Sequence, residues 1–307
     1  MKKILLVLES RDIYINKKNK LKILKKDKNI ITKTVITGTH LSKELGYSIN
    51  NLKTDNIKID YKLNFNNKNI VAGIGKLILG ANKIISKFKP DIVVIFGDRV
   101  ELMPFAIASS YESDVLLAHV QAGDRSGHID DMTRMALAKL SHIHFPATKV
   151  AQSRLVKLGE QKERIFLVGA PQLDDINYKK LSKNKSIFFD NKEFNLKKNQ
   201  YFVLLQHPVF KNRKEYLKLF KITIKACIKF NKKIVIIYPN YDPGYKPIIS
   251  FLKKKKNKRN FIIFKNLERQ KFLSLVLHSS CFVGNRIYKI LKKIKPNDFF
   301  LNKDTTY

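Results

Sequence analysis

Acidic residues are scarce in this chain of 307 residues: 25 Asp and Glu stand against 61 Lys and Arg, a formal net charge of +36. Tryptophan is absent, and cysteine occurs only at Cys227 and Cys281. Two thiols in apolar surroundings, without CxxC spacing, argue against a disulfide framework and against a zinc or dithiol redox motif. They read as buried thiols in a reducing compartment, so a cytoplasmic protein is expected. No apolar run approaches the roughly 20 residues needed to span a bilayer, so no membrane partner is expected. The opening MKKILLVLES sets five apolar residues between lysines and Glu9, too few for a signal h-region, and reads as a first buried strand. GxSxG is missing, which argues against a nucleophile elbow. The glycine-containing VAGIGKLILGANK lacks GxxxxGK[ST] spacing and reads as a closely packed helix, not a phosphate loop.

The positive field would attract nucleic acid or anionic membranes. Only ten of the basic residues are arginine, however, and the lysines run with asparagine and isoleucine through loops and helix faces alike. That is the mark of compositional bias; a nucleic-acid surface would concentrate arginine with exposed aromatics. No specific nucleic-acid partner is expected, and a small anionic substrate fits the field better.

What the chain does have is alternation. Strand-like runs at 4–8, 30–36, 57–61, 92–96, 115–120, 142–145 and 165–168 are separated by amphipathic segments, the clearest at 70–88, 132–140 and 150–158. A second series follows, with strands at 202–205, 234–238, 261–264 and 281–283 and helices at 216–230, 248–255 and 269–277. Such alternation predicts α/β domains with parallel, doubly wound sheets. We expect two Rossmann-like domains facing a cleft: residues 1–177, a Lys/Asn-rich linker at 178–200, and residues 201–285. The tail 286–307 reads as neither strand nor capped helix.

The stretch from Asp91 to Thr148 repeatedly runs short apolar strands into acidic, glycine-containing turns. In open parallel sheets ligands bind beyond the carboxyl ends of the strands, so Asp98, Arg99, Asp124, Asp130 and Asp131 are site candidates. Each has a plainer explanation. Asp98 could cap a helix beside a surface arginine, Asp124 could mark a simple turn, and Asp130 or Asp131 could cap the helix starting near Met132. Carboxylates crowded into one cleft raise one another's pKa, which makes acid/base chemistry plausible. His207 ends the strand YFVLLQ and is either a phosphate or proton partner or a packed histidine. His142 and His144 alternate on one strand without a third ligand at metal-binding spacing, so no metal is expected. His119 and His128 are unassigned by pattern.

Taken together, these stretches resemble the hydrolysing UDP-N-acetylglucosamine 2-epimerase family. The likeness runs in one order through SRDIY from Ser10, TGTHLSKELGYS from Thr37, KPDIVVIFGDR to Arg99, AHVQAGD to Asp124 and IDDMTRMALAKLSHIHFPAT to Thr148. It continues through RIFLVGAPQLDDI from Arg164, QHP at 206–208, YPNYDPG from Tyr238 and NLERQKFLSLVLHSSCFVGN to Asn285. The resemblance implies a glycosyltransferase-B-like fold, a UDP-sugar substrate between the domains, no metal or other cofactor, and a homo-oligomer serving sialic-acid-type synthesis. It implies that a base removes the C2 proton as UDP leaves C1, and that water then adds to give free N-acetylmannosamine. The implied acid/base residues are Asp98, Asp124 and Asp131, with Arg99, Asp130 and Arg134 in support. Arg11, His207, Asn240, Asp242 and Asn285 are the implied substrate contacts.

The chain departs from the family pattern in three places. Its first-loop carboxylate, Asp12, directly follows Arg11; Asp124 stands where hydrolysing members carry glutamate; and Arg286, Ile287 and Tyr288 replace a serine- and glycine-rich turn. The last departure predicts a C-terminally truncated chain with an incomplete second domain. A catalytically impaired sugar-nucleotide binder is the alternative it leaves open, with a basic nucleic-acid-binding α/β protein behind it.

Overall fold

The computed structural model describes residues 1–9, 23–24, 26–41, 57–66, 69–125, 130–174, 176–189, 192–197, 200–208, 213–239, 244–255, 260–265, 267–284 and 299–301. The chain divides into two compact units, one over Met1–Asp174 and one from Asp175 onward.

The first unit alternates β1 (Lys2–Leu8), β2 (Ile30–Ile36), β3 (Tyr61–Lys62), α1 (Ile70–Phe88), β4 (Ile92–Phe96), α2 (Met103–Ser110), β5 (Leu116–Val120), α3 (Asp130–Leu140), β6 (Ile143–Phe145) and α4 (Lys149–Lys157). Its six strands lie in the order β3-β2-β1-β4-β5-β6, and every pairing is parallel. The strand order reverses between β1 and β4, and such reversal points are where doubly wound sheets bind ligands. Both faces are covered, which explains the unbroken apolar runs. Along β1 the side chains alternate between cores: Leu5 and Val7 join Ile85, Phe88, Phe105 and Leu137, while Leu6 and Leu8 join Ile36 and Phe96. Helix α1 delivers the chain to β4 with its ends fixed: Asn69 Oδ1 accepts from the Ala72 amide, and Lys89 turns left-handed to end it.

The second unit opens with α5 (Tyr178–Ser182) and the antiparallel hairpin β7 (Ser186–Phe189)–β8 (Lys192–Asn195). It continues through β9 (Tyr201–Leu205), α6 (Arg213–Ile228), β10 (Lys233–Ile237), α7 (Tyr245–Lys255), β11 (Phe261–Phe264), α8 (Arg269–His278), β12 (Cys281–Gly284) and β13 (Phe299–Leu301). Its sheet, β11-β10-β9-β12-β13, is parallel and reverses between β9 and β12, repeating the plan of the first unit. Both cysteines are buried and unbridged, and burial pushes the Cys227 thiol up to about 11. Among the described residues, no helix is long and apolar enough to cross a membrane.

Four local expectations give way to the structure. The segment expected as a linker at 178–200 contains α5 and the hairpin, and it buries Ile187 and Leu196 against Tyr201 and Val203. A two-stranded hairpin needs apolar residues only at alternate positions, so a low apolar count hid it. The run 165–168 is not a strand: Ile165 makes a single bridge to His144, and Phe166 and Val168 are 50% and 57% exposed. The run at 57–61 contributes only Tyr61 to β3, which is Tyr61–Lys62. The tail, read as patternless, supplies β13, which pairs with β12 from Phe282↔Phe299 to Gly284↔Leu301.

Candidate active site

Asp98 leaves the carboxyl end of β4 through Gly97, whose φ of +82° is left-handed. The capping explanation fails for it, because the residue before the short 3-10 turn Val100–Leu102 is Arg99, which makes no side-chain cap. The Asp98 carboxylate instead pairs with Nη2 of Arg134, on the first turns of α3. The same guanidinium reaches Asp131 Oδ1 through Nη1 at 3.0 Å and donates from Nη1 to the Asp124 carbonyl at 2.8 Å. One arginine, with its side chain 9% exposed, therefore joins three separate chain segments. A rigid fork of donors suits that role, since a lysine ammonium offers no comparable geometry.

Burial raises the Asp98 pKa above its ordinary value; Arg134 pulls it down, Asp130 pushes it up, Arg99 opposes and Asp131 adds to the rise. Desolvation and neighbouring carboxylates outweigh the arginines, so this carboxyl group holds its proton more readily than a solvated aspartate does. Asp131 also lies 3.9 Å from Arg125 Nε through Oδ2. Asp130 begins α3.

The turn after β5 is held by its carbonyls. Arg154 Nη1 donates to the Gly123 carbonyl, next to the Asp124 carbonyl on Arg134. Gly123 has φ +72°, and a Cβ there would lie 2.5 Å from the Ala151 carbonyl oxygen and 2.8 Å from Leu155 Cγ. Gly123→Ala is therefore expected to destabilise the protein by roughly 1–3 kcal/mol, combining left-handed strain with a clash against backbone. A urea denaturation midpoint equal to that of the wild type would contradict this.

Sequence reasoning passed over two buried carboxylates. Glu9, at the end of β1, and Glu101 are 0% and 1% exposed. Arg99 grips Glu101 with Nη2 to Oε1 at 3.0 Å and Nε to Oε2 at 3.3 Å. Burial works against the Arg99 charge, but Glu101, Glu9 and Asp130 outweigh it and raise its pKa. The available signal was Glu9 itself, a carboxylate directly after an apolar run, at the same strand end as the other candidates.

The histidines divide by role. His142 Nδ1 accepts from the Leu117 amide at 2.9 Å. His144 is fully buried, with Nε2 3.0 Å from Glu160, and Glu160 also meets Lys139 Nζ at 2.8 Å. Burial lowers the His144 pKa in spite of Glu160. Among the described residues no group of three His, Cys, Asp or Glu side chains could hold a metal ion. His207 follows β9 at the carboxyl edge of the second sheet and is 5% exposed. Arg11, His128, Asn240, Asp242 and Asn285 lie outside the described residues.

The doubly wound, Rossmann-like fold that carries these residues agrees with comparison to known proteins. The family model for UDP-N-acetylglucosamine 2-epimerase matches residues 22–286. The chain belongs to the UDP-N-acetylglucosamine 2-epimerase family. One epimerase relative is UDP-N,N'-diacetylbacillosamine 2-epimerase (hydrolyzing) of Legionella pneumophila, 32% identical over 303 residues, covering 97% of this chain and 79% of the relative. Among solved structures, the UDP-GlcNAc 2-epimerase of Methanocaldococcus jannaschii, in complex with UDP-GlcNAc and UDP, matches with a TM-score of 0.79 at 22% identity. That match covers 99% of this chain and 84% of the archaeal epimerase. The epimerase fold is shared more distantly with a lipopolysaccharide outer core galactosyltransferase, at a TM-score of 0.53 and 11% identity over 98% of this chain and 86% of that one. The architecture is thus glycosyltransferase-B-like, built from two Rossmann-like α/β units.

Proposed function

We propose that the protein is a hydrolysing 2-epimerase of UDP-linked 2-acetamido sugars, releasing UDP and the free mannose-configured sugar. The observation that carries this reading is the single guanidinium of Arg134, which gathers Asp98, Asp131 and the Asp124 turn at the carboxyl ends of β4 and β5. The chemistry needs a group to take the C2 proton and a group to return one to the opposite face. Asp98, Asp124 and Asp131 are the candidates, and burial raises the Asp98 pKa above the ordinary carboxylate value, in the direction that favours holding a proton.

In the first step the C2–H bond breaks, the electron pair forms the C1–C2 double bond, and the C1–O bond to UDP breaks. In the second, the C1–C2 double bond is consumed: its electron pair takes a proton at C2 from an acid on the face opposite the original one, water oxygen bonds to C1, and the proton that the water loses passes to a carboxylate base. Asp130 and Arg99 add charge balance around Asp98. His207, at the strand end of the second unit, is proposed to contact the nucleotide, together with Arg11, Asn240, Asp242 and Asn285. The hydrolytic outcome is supported by the likeness to the Legionella relative, a hydrolysing 2-epimerase by name. The free product would suit sialic-acid-type synthesis, and the two unbridged cysteines fit a reducing, cytoplasmic compartment.

The test is to incubate the purified protein with UDP-N-acetylglucosamine and, separately, with UDP-N,N'-diacetylbacillosamine, following ³¹P signals and the sugar anomers. Free UDP accompanied by a free mannose-configured sugar is expected. A UDP-linked epimer without free UDP would replace the hydrolytic reading with simple epimerisation, and unchanged substrates would remove both.

A further inference from the structure

His119 lies inside β5, fully buried, with Nε2 2.7 Å from the carbonyl oxygen of Gly97. A carbonyl can only accept, so Nε2 carries the proton and donates it. Nδ1 is then the lone-pair nitrogen, and it has no hydrogen-bond partner among the described residues. Burial pushes the imidazole down to about 4, against the opposing effect of the Gly97 hydrogen bond, so His119 is neutral through the physiological range. Gly97 is also tied to β5 at its other end, its amide donating to the Val120 carbonyl at 3.0 Å. The residue that turns the chain from β4 into Asp98 is therefore pinned to the neighbouring strand by both its N–H and its C=O.

We infer that His119 is a positioning residue for Asp98, fixing the Gly97–Asp98 peptide so that the carboxylate meets Arg134 in the orientation the reaction uses. The inference rests on the reading of Asp98 given under Proposed function. Arg134 reaches Asp98 from α3 and sets only the far end of the side chain; the peptide plane is set from β5. Left without its donor, a buried carbonyl drives the peptide to rotate toward another partner. The Cα of Asp98 would move with it, and displacements of about 1 Å at a reacting group cost roughly a hundredfold in rate. A histidine present only for packing would be replaceable by an apolar side chain of similar size. A donor would not be.

The experiment compares His119→Gln, whose side-chain amide places a donor near the Nε2 position, with His119→Met, which keeps bulk and removes the donor. His119→Met is expected to lower kcat by about tenfold to a hundredfold with KM within twofold, and His119→Gln to stay within about threefold of wild type. Amide hydrogen exchange at 97–99 should quicken in the methionine variant alone. Should His119→Met fail to fold, His119→Asn, too short to reach Gly97, makes the same comparison and is expected to be impaired. Wild-type kcat in His119→Met, or equal loss in the methionine and glutamine variants with KM raised, would overturn the assignment. If the wild type itself turns over no UDP-sugar, the functional reading falls; unchanged exchange at 97–99 would then reject the anchor as well, and quickened exchange would retain it.

Discussion

Replacing Arg134 with lysine is expected to lower turnover by about 10²–10³ while leaving a folded protein. Lysine keeps the positive charge but cannot hold Asp98, Asp131 and the Asp124 carbonyl at once, as the guanidinium does. The loss is therefore one of geometry, and it should appear in kcat more than in KM. Arg134→Leu is the harsher change. It leaves two carboxylates, only 22% and 16% exposed, without their shared partner, and breaking buried pairs in this way costs about 3–5 kcal/mol. Chemical denaturation of the two variants separates the effects: lysine near wild-type stability with poor turnover, leucine poor in both. Near-wild-type turnover in Arg134→Lys would show that the fork does not organise the site.

Asp98→Asn is expected to reduce turnover by about 10³ or more, at the upper end of what a proton-transferring group contributes. Its effect on stability should run the other way. The pKa of Asp98 in the folded protein is raised above the ordinary 3.8, chiefly by burial. The folded state thus holds this proton more tightly than the unfolded state does. The stabilisation this gives is complete below the unfolded pKa and is lost as pH rises through the raised folded value. Because burial disfavours the charged form of Asp98, asparagine should leave Tm at pH 7 equal to or above that of the wild type. The advantage should shrink as the solution is acidified. A variant melting several degrees lower at pH 7 would mean that the ion pair with Arg134 outweighs the burial of the charge. Loss of activity with retained or improved stability is the usual signature of a site held in a strained electrostatic state.

Much of this was legible in the chain because physical pattern and structure coincide where both faces of a sheet are buried. β4 announced itself as an unbroken apolar run, β1 as one from Ile4 to Leu8 and β5 as one interrupted only by His119, and α1 matches its expected span of 70–88. The run at 165–168 failed for the same reason those succeeded, since continuous apolarity implies a buried strand only where a neighbour exists to pair with it, and beyond β6 there is a single bridge. The hairpin at 186–195 was missed because its burial depends on few residues. Within the site, Asp98 and Asp131 could be found from their places at a strand end and a helix start. The bond between Asp98 and Arg134 spans 36 positions and is purely tertiary. The same holds for His119 and Gly97, separated by 22 positions, and for the Arg99 field that includes Glu9. Spacing in a sequence can nominate carboxylates; only the fold shows which cation holds them and which backbone carbonyl a buried histidine serves.

The most direct measurement is the fate of the C2 hydrogen. Wild-type protein and Asp98→Asn are incubated with UDP-N-acetylglucosamine in deuterated water, and the sugars are examined by mass spectrometry and proton NMR. Free N-acetylmannosamine carrying one solvent deuterium at C2, formed with UDP by the wild type and suppressed in the variant, is the expected result. UDP release with the original proton still at C2, or deuterium incorporation undiminished in Asp98→Asn, would contradict it.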